Sequence, residues 1–381
     1  MATIRKDFGP KSFGEDEWKQ AIGLLQASDA FIAHIDTGLA AHEVFGRAKG
    51  FSPNIQIAMG KNFFDPAATG GRPETPLTIG PGPVANRAQI PDHGVRTACM
   101  ILGETDDMTG VAPGAKVRPY RVSNGPVFIG PAKTSAIGRA LKHAMGQGDL
   151  PVSVSISMGN PGASFVHLLN VAGFDAPPGM AANTVEAINE AYEQGVIVVC
   201  AGGQIIRTVA YPARFGRTIA VGGLTEPADR YAAALYPTGG YGPDFPIIDV
   251  WAQAQNLNRA AVVKAGGETL QFYAETDDPR NEDRKPVGTS YAAPQVAAAA
   301  ALWRVYYGAK LSQFDEKWKI VEAFRKALRG SSTVKNIRLG PNDENRRKVR
   351  TLDIGKLMKT PPVLTADYKR VRRHTAHASW L

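Results

Sequence analysis

The chain has 381 residues, 44% of them hydrophobic, and its 44 Lys and Arg outnumber 35 Asp and Glu for a net charge of +9. That length and apolar content suffice for one large domain with a sizeable core, which excludes a disordered or fibrous chain. No run of 18 apolar residues marks a membrane span, and the start, Met1-Ala-Thr-Ile-Arg-Lys-Asp, lacks the apolar core of a secretory signal; both features predict a cytoplasmic protein with no membrane partner.

Residues 1–28 read as a lead-in with one amphipathic helix around Glu15 to Gln26, apolar at Trp18, Ile22 and Leu25. Ala30 to Ile35 form an apolar run of strand length that ends in Asp36-Thr37-Gly38, where glycine permits a sharp turn. Aspartate is a common turn former, so on its own this tripeptide also fits a plain turn. Asn54 to Met59 reads as a second short strand, and Pro66 to Pro91 as a long Gly/Pro-rich loop delivering the chain to Asp92-His93-Gly94. The apolar run Val95 to Leu102 predicts a buried helix, at whose start His93 fits a cap or a core group as well as a catalyst. Cys99 in that helix and Cys200 far along the chain give no disulfide framework and predict buried free thiols.

A strand over Val117 to Val122, a helix over Ala132 to Met145, a strand over Val152 to Met158, a helix over Ala182 to Gln194 and a strand over Val196 to Ala201 follow. This alternation predicts the α/β class, a three-layer parallel sheet with helices on both faces joined by right-handed crossovers. The charged stretch Glu275 to Lys285 reads as a surface excursion, and a helix over Phe314 to Leu328 closes the body. Residues 331–381 hold twelve Lys or Arg against four Asp or Glu, so nearly all of the net charge sits in a basic C-terminal extension. The expected division is therefore 1–28, 29–330 and 331–381. A tail of that kind suits an acidic protein or nucleic-acid partner and is expected to be dispensable for chemistry.

Between the excursion and the closing helix lies Gly288-Thr289-Ser290-Tyr291-Ala292-Ala293-Pro294, followed by the alanine-rich run to Leu302. Thr289 is a candidate helix cap and Pro294 a candidate first-turn residue, which puts Ser290 at a helix N-terminus. Partial positive charge and unpaired N–H groups there stabilise an oxyanion forming beside a serine, although the same residues also serve as the plain start of a buried helix. Ala292 excludes the nucleophile elbow, which needs Gly at that place, and no His-Glu-x-x-His motif supports metal-dependent proteolysis.

Asp36-Thr37-Gly38, His93-Gly94 and Gly288-Thr289-Ser290, in that order, resemble the three motifs of the subtilisin-like serine protease (subtilase) family. Val111-Ala112-Pro113, Ser157-Met158-Gly159, Ala201-Gly202-Gly203, Tyr211-Pro212-Ala213, Ile219-Ala220-Val221-Gly222 and Asp249-Val250-Trp251-Ala252 extend the resemblance over residues 28–308. It implies a subtilisin-like fold and a serine endopeptidase acting on protein or peptide through an acyl-enzyme. Ser290 would be the nucleophile, His93 the general base and then acid, and Asp36 the group that orients the imidazole. The family's oxyanion asparagine is replaced by Gln204, which keeps the amide donor on a longer arm. The resemblance puts Ser157, Met158, Gly159, Ala201, Gly202 and Gly203 on the walls of a substrate cleft and Ala210 near the floor of a pocket with room for a large apolar side chain. It implies no required cofactor; calcium is frequent in the family but is not assignable to residues here, and no metal ligands are named. Within Gly94-Val95-Arg96-Thr97-Ala98-Cys99, Arg96 and Cys99 stand out as departures from the family pattern, as does Gln295 farther on. With Gln204 they motivate the alternative of a catalytically impaired member that keeps the fold as a binding module.

Overall fold

The computed structural model describes residues 15–46, 50–75, 90–127, 131–160, 180–203, 209–224, 247–255, 257–265, 268–273, 288–338 and 346–374. Besides a small hairpin of Glu104–Thr105 with Met108–Thr109, the strands, in chain order, are β1 (Phe31–Asp36), β2 (Lys61–Asn62), β3 (Lys116–Arg121), β4 (Ser153–Ile156), β5 (Ile197–Ala201), β6 (Ile219–Leu224), β7 (Val250–Gln253), β8 (Ala260–Ala265), β9 (Glu268–Tyr273), β10 (Thr333–Arg338) and β11 (Arg346–Thr351). The longer helices are α1 (Glu15–Ala27), α2 (His93–Leu102), α3 (Pro131–Met145), α4 (Ala182–Glu193), α5 (Thr289–Tyr306) and α6 (Lys319–Ser331), with a short α7 (Ile354–Met358). Among the described residues one nine-stranded sheet runs in the order β10-β11-β7-β6-β5-β4-β1-β3-β2. Its pairs are parallel except β10 with β11.

The strand order reverses at β1, which lies between β4 and β3. Groups at the carboxyl end of such a strand face a crevice rather than a crossover helix. Asp36 is the last residue of β1. Every residue of β1 is buried, as expected of a strand covered on both faces, and successive side chains feed opposite layers. Phe31, Ala33 and Ile35 join the core beneath α3 and α4, whereas Ile32 joins the core beneath α1, α2 and α5. The expected three-layer α/β sheet is thus what the chain forms. Helix α5 is buried continuously from Thr289 to Trp303, which explains why its sequence is apolar all round instead of amphipathic.

Three expectations need correction. Asn54 to Met59 holds a single bridge, Ile55 to Val117, and a 3₁₀ turn over Ile57–Met59. Strand pairing resumes at Lys61, after Gly60, whose Cα lies so close to Pro119 that a Cβ would stand 2.1 Å from the carbonyl oxygen. The closing helix starts at Lys319, not Phe314.

The third concerns the basic extension, whose described residues are built into the body. Strands β10 and β11 cap the sheet edge, where Leu352 N–H donates to Trp251 O at 2.8 Å. Trp303 Nε1 and Tyr307 Oη donate to the carbonyls of Thr360 and Met358 at 2.9 and 2.6 Å. Farther on, Val371 O accepts from Arg217, and Asn189 brackets the backbone of His374 with two hydrogen bonds. Four cations of the extension, Lys356, Lys359, Lys369 and Arg370, pair with acids of the same chain. The expected excursion over Glu275 to Lys285 lies outside the described residues.

Candidate active site

Three local devices bring the Asp36 and His93 motifs together. At the end of β1, Gly38 has φ 93°, a left-handed conformation that favours glycine. A Cβ on Gly94 would stand 1.9 Å from Gly38 O. This is why a histidine followed by glycine meets an aspartate turn here: the first turn of α2 lies directly on the β1 turn. Thr37 fastens the two, its hydroxyl donating to Pro91 O and accepting from Gly94 N–H, both at 2.8 Å.

Asp36 and His93 therefore meet side chain to side chain. His93 Nδ1 lies 2.7 Å from Asp36 Oδ1, with the two residues 2% and 0% exposed. Oδ1 also accepts the Thr37 N–H at 2.7 Å, and Oδ2 accepts the Thr97 hydroxyl at 3.0 Å. Burial pushes the Asp36 carboxyl upward, but the facing His93, its hydrogen bond, His34 and the Thr37 N–H outweigh burial and hold it below the usual carboxylate range. An Nδ1–H donated to this carboxylate leaves Nε2 with a lone pair. Among the described residues the buried His93 Nε2 has no hydrogen-bond partner.

The start of α2 is braced from the far side. Asp92 Oδ2 accepts from Arg96 Nε at 3.1 Å and from the Val262 N–H of β8 at 3.1 Å. Cys99, one of the departures from the family pattern, is fully buried; its thiol donates to Arg96 O and burial pushes it up to about 12, so it is an inert packing group. Burial pushes the Cys200 thiol upward as well.

Ser290 is the second residue of α5 and is 8% exposed. The N-cap is Gly288, with extended backbone, rather than Thr289. Thr289 instead accepts the Gly203 N–H at 3.1 Å, which joins the helix start to the loop leaving β5. Pro294 lies inside the helix, not in its first turn. Lacking an N–H, it leaves the Ser290 carbonyl without its intrahelical donor.

Of the residues expected to line a cleft, Gly159, Gly203 and Ala210 converge. A Cβ on either glycine would come within 2.9 Å of the Ala210 Cβ, and Ala210 N–H donates to Gly202 O at 2.8 Å. Asn160 and Tyr211 exchange two backbone hydrogen bonds beside them. Ser157 and Met158 are buried at the end of β4, and Ala201 and Gly202 at the end of β5. Gln204 lies outside the described residues, immediately after Gly203. No group of three or more His, Cys, Asp or Glu that could hold a metal ion occurs among the described residues. No described helix is long and apolar enough to cross a membrane.

Sequence reasoning passed over His34 and Thr97. His34 Nε2 lies 2.9 Å from Thr97 Oγ1 in the same buried network. A signal was present: His34 precedes Asp36 by two residues in a strand and so shares its face.

Several known proteases are similar to this chain. Subtilisin Savinase of Lederbergia lenta is 26% identical over 312 residues, 81% of this chain and 85% of that protein. The major intracellular serine protease of Bacillus subtilis (strain 168) is 25% identical over 283 residues, covering 72% and 69% respectively. A solved protease structure from Pseudoalteromonas arctica PAMC 21717 superposes with a TM-score of 0.60 at 19% identity, covering 92% of this chain and 95% of that one, a likeness of fold. The model of the Subtilase family matches residues 28–336, and the chain belongs to that family.

Proposed function

We propose that the protein is a serine endopeptidase that hydrolyses peptide bonds through an acyl-enzyme, with Ser290 as nucleophile, His93 as general base and acid, and Asp36 as the orienting carboxylate. The observation that carries this reading is the buried 2.7 Å contact between Asp36 Oδ1 and His93 Nδ1, with His93 Nε2 left unpartnered among the described residues. An imidazole held in this tautomer presents a basic nitrogen, and the carboxylate stabilises the imidazolium formed when that nitrogen takes the serine proton. Ser290 Oγ would attack the carbonyl carbon, and its proton would pass through His93 to the leaving amine. Water would then cleave the ester by the same route in reverse.

The negative oxygen of the tetrahedral intermediate would be met by the Ser290 N–H at the start of α5 and by the amide of Gln204. The Gly203–Thr289 hydrogen bond supports this role, because it ties the residue before Gln204 to the residue before Ser290. Gly159, Gly203 and Ala210 would shape the pocket for the substrate side chain, their missing or small side chains leaving it open.

Labelling with a fluorophosphonate and cleavage of a denatured protein substrate test the assignment. Ser290→Ala, His93→Ala and Asp36→Ala should each lower turnover by about three orders of magnitude or more, with double variants hardly worse than single ones, as documented for the subtilisin triad. Undiminished labelling of Ser290→Ala would refute the assignment.

A further inference from the structure

Asp36 is held from two sides. Oδ1 takes the Thr37 N–H and His93, whereas Oδ2 takes the Thr97 hydroxyl at 3.0 Å. Thr97 lies in α2, one turn after His93, and its oxygen is also 2.9 Å from His34 Nε2. The three side chains are 0 to 1% exposed.

The direction of each hydrogen bond follows from counting protons. The threonine hydroxyl has one proton, and its acceptors are Asp36 Oδ2 at 3.0 Å and the carbonyls of His93 and Gly94 at 3.2 Å each. The carboxylate is the charged acceptor among these and His34 Nε2, which lies at 2.9 Å, so it takes the proton. Thr97 Oγ1 must then accept from His34, which fixes the His34 tautomer with its proton on Nε2. The remaining ring nitrogen, Nδ1, becomes a bare acceptor, and it is the His34 atom found buried without a hydrogen-bond partner among the described residues. A neutral ring is what its surroundings favour: burial, opposed by Asp36 and reinforced by His93, lowers its pKa to about 4. Asp92 and Arg96 of α2 pair with each other, and the neighbour of His34 across β4 is Ser155.

We propose that His34 and Thr97 form a relay of donors that fixes the second oxygen of Asp36, so that both are positioning residues for the His93–Asp36 pair. The proposal rests on the serine protease reading for its kinetic consequence but not for its geometry. A carboxylate held by one oxygen can rotate about its last bond; held by both, it keeps Oδ1 in line with His93 Nδ1. His34 sets the orientation of the Thr97 hydroxyl, and chains of such donors polarise one another.

The test uses full-length protein with four single variants and one double variant. Thr97→Val keeps the side-chain shape and removes the hydroxyl, and Thr97→Ser restores it. His34→Gln puts an amide N–H at the place of Nε2, whereas His34→Leu removes the donor. Thr97→Val should lower kcat by about 10- to 30-fold, the size expected for losing one hydrogen bond to a charged group, with KM within about twofold. The downfield proton resonance of His93 Nδ1–H should move upfield by NMR. Thr97→Ser and His34→Gln should stay within about threefold of wild type and keep the resonance. Adding His34→Leu to Thr97→Val should cost little more, because both act through one oxygen. Wild-type kcat and an unmoved resonance in Thr97→Val would overturn the proposal. Should Thr97→Val fail to fold, the contrast of His34→Leu with His34→Gln decides by the same two readouts, and equality of the two overturns it. An inactive wild type would count against the protease reading alone, since the resonance is readable without turnover.

Discussion

At the scale of single residues, the buried network around Asp36 makes stability depend on pH in a calculable direction. His34 titrates at about 4 in the folded chain against an ordinary 6.5, so between those values the unfolded chain binds the extra proton. Its contribution is therefore fully present above pH 6.5 and is lost as pH falls through the window down to about 4, with a ceiling on the order of 3 kcal/mol. Asp36, depressed below its ordinary 3.8, contributes above that value and is lost below it. Acidification from pH 7 to 4.5 should lower the melting temperature of the wild type, and His34→Gln, which cannot titrate, should lose less over the same interval. Equal slopes for the two proteins would show that His34 is not the group responsible. Asp36 and His93 were legible in the sequence because a turn-forming glycine follows each and their chain order has a meaning. Thr97 was not, because a threonine inside an apolar helix has no local signature, and the signal for His34 was only its place on the strand face of Asp36. Only the docking of α2 on β1 gives them to each other.

At the scale of elements, periodicity located β1, β3, α3, α4 and β5 to within one or two residues, because each alternates with the next across a shared core. It failed where contact with another element sets the boundary. The stretch before Gly60 is held by one bridge to Val117 and cannot extend as a strand, and the start of α5 is set by Gly288 while Thr289 is committed to Gly203. The closest of these approaches is that of α2 to the β1 turn, where Gly94 faces Gly38 O. Gly94→Ala must open that contact, since neither partner is a flexible side chain. It should destabilise the protein by about 3 kcal/mol or more and abolish fluorophosphonate labelling even in the molecules that remain folded, because His93 moves with the helix. Thermal melting with labelling of the folded fraction checks both parts. A folded, fully labelled Gly94→Ala protein would mean that the two turns do not need this closeness.

At the scale of the whole molecule, charge alone misrepresents the C-terminal extension. Read as sequence, its excess of Lys and Arg suggests an arm in solvent; in the structure the charges alternate with buried Ile337 and Val349 in β10 and β11, and Leu357 and Met358 of α7 enter the core beneath α5. The chain then crosses to α4, where Tyr192 and Asn189, with Arg217 from the turn before β6, hold the backbone of Val371 and His374. Removing residues 361–381 would strip these bonds while leaving the sheet complete. Each buried bond contributes about 0.5–1.5 kcal/mol, and the carbonyls and donors left behind cost as much again. Against a typical net stability of 5–15 kcal/mol, the loss is a large fraction. The truncated protein should therefore melt well below the full-length one, with Asn189→Ala and Tyr192→Phe each reproducing a part of the drop. Removing residues 331–381 should go further and prevent folding, since it also uncovers the β7 edge and the face of α5 beneath α7. An active, equally stable protein ending at residue 330 would show instead that the body is independent of its extension.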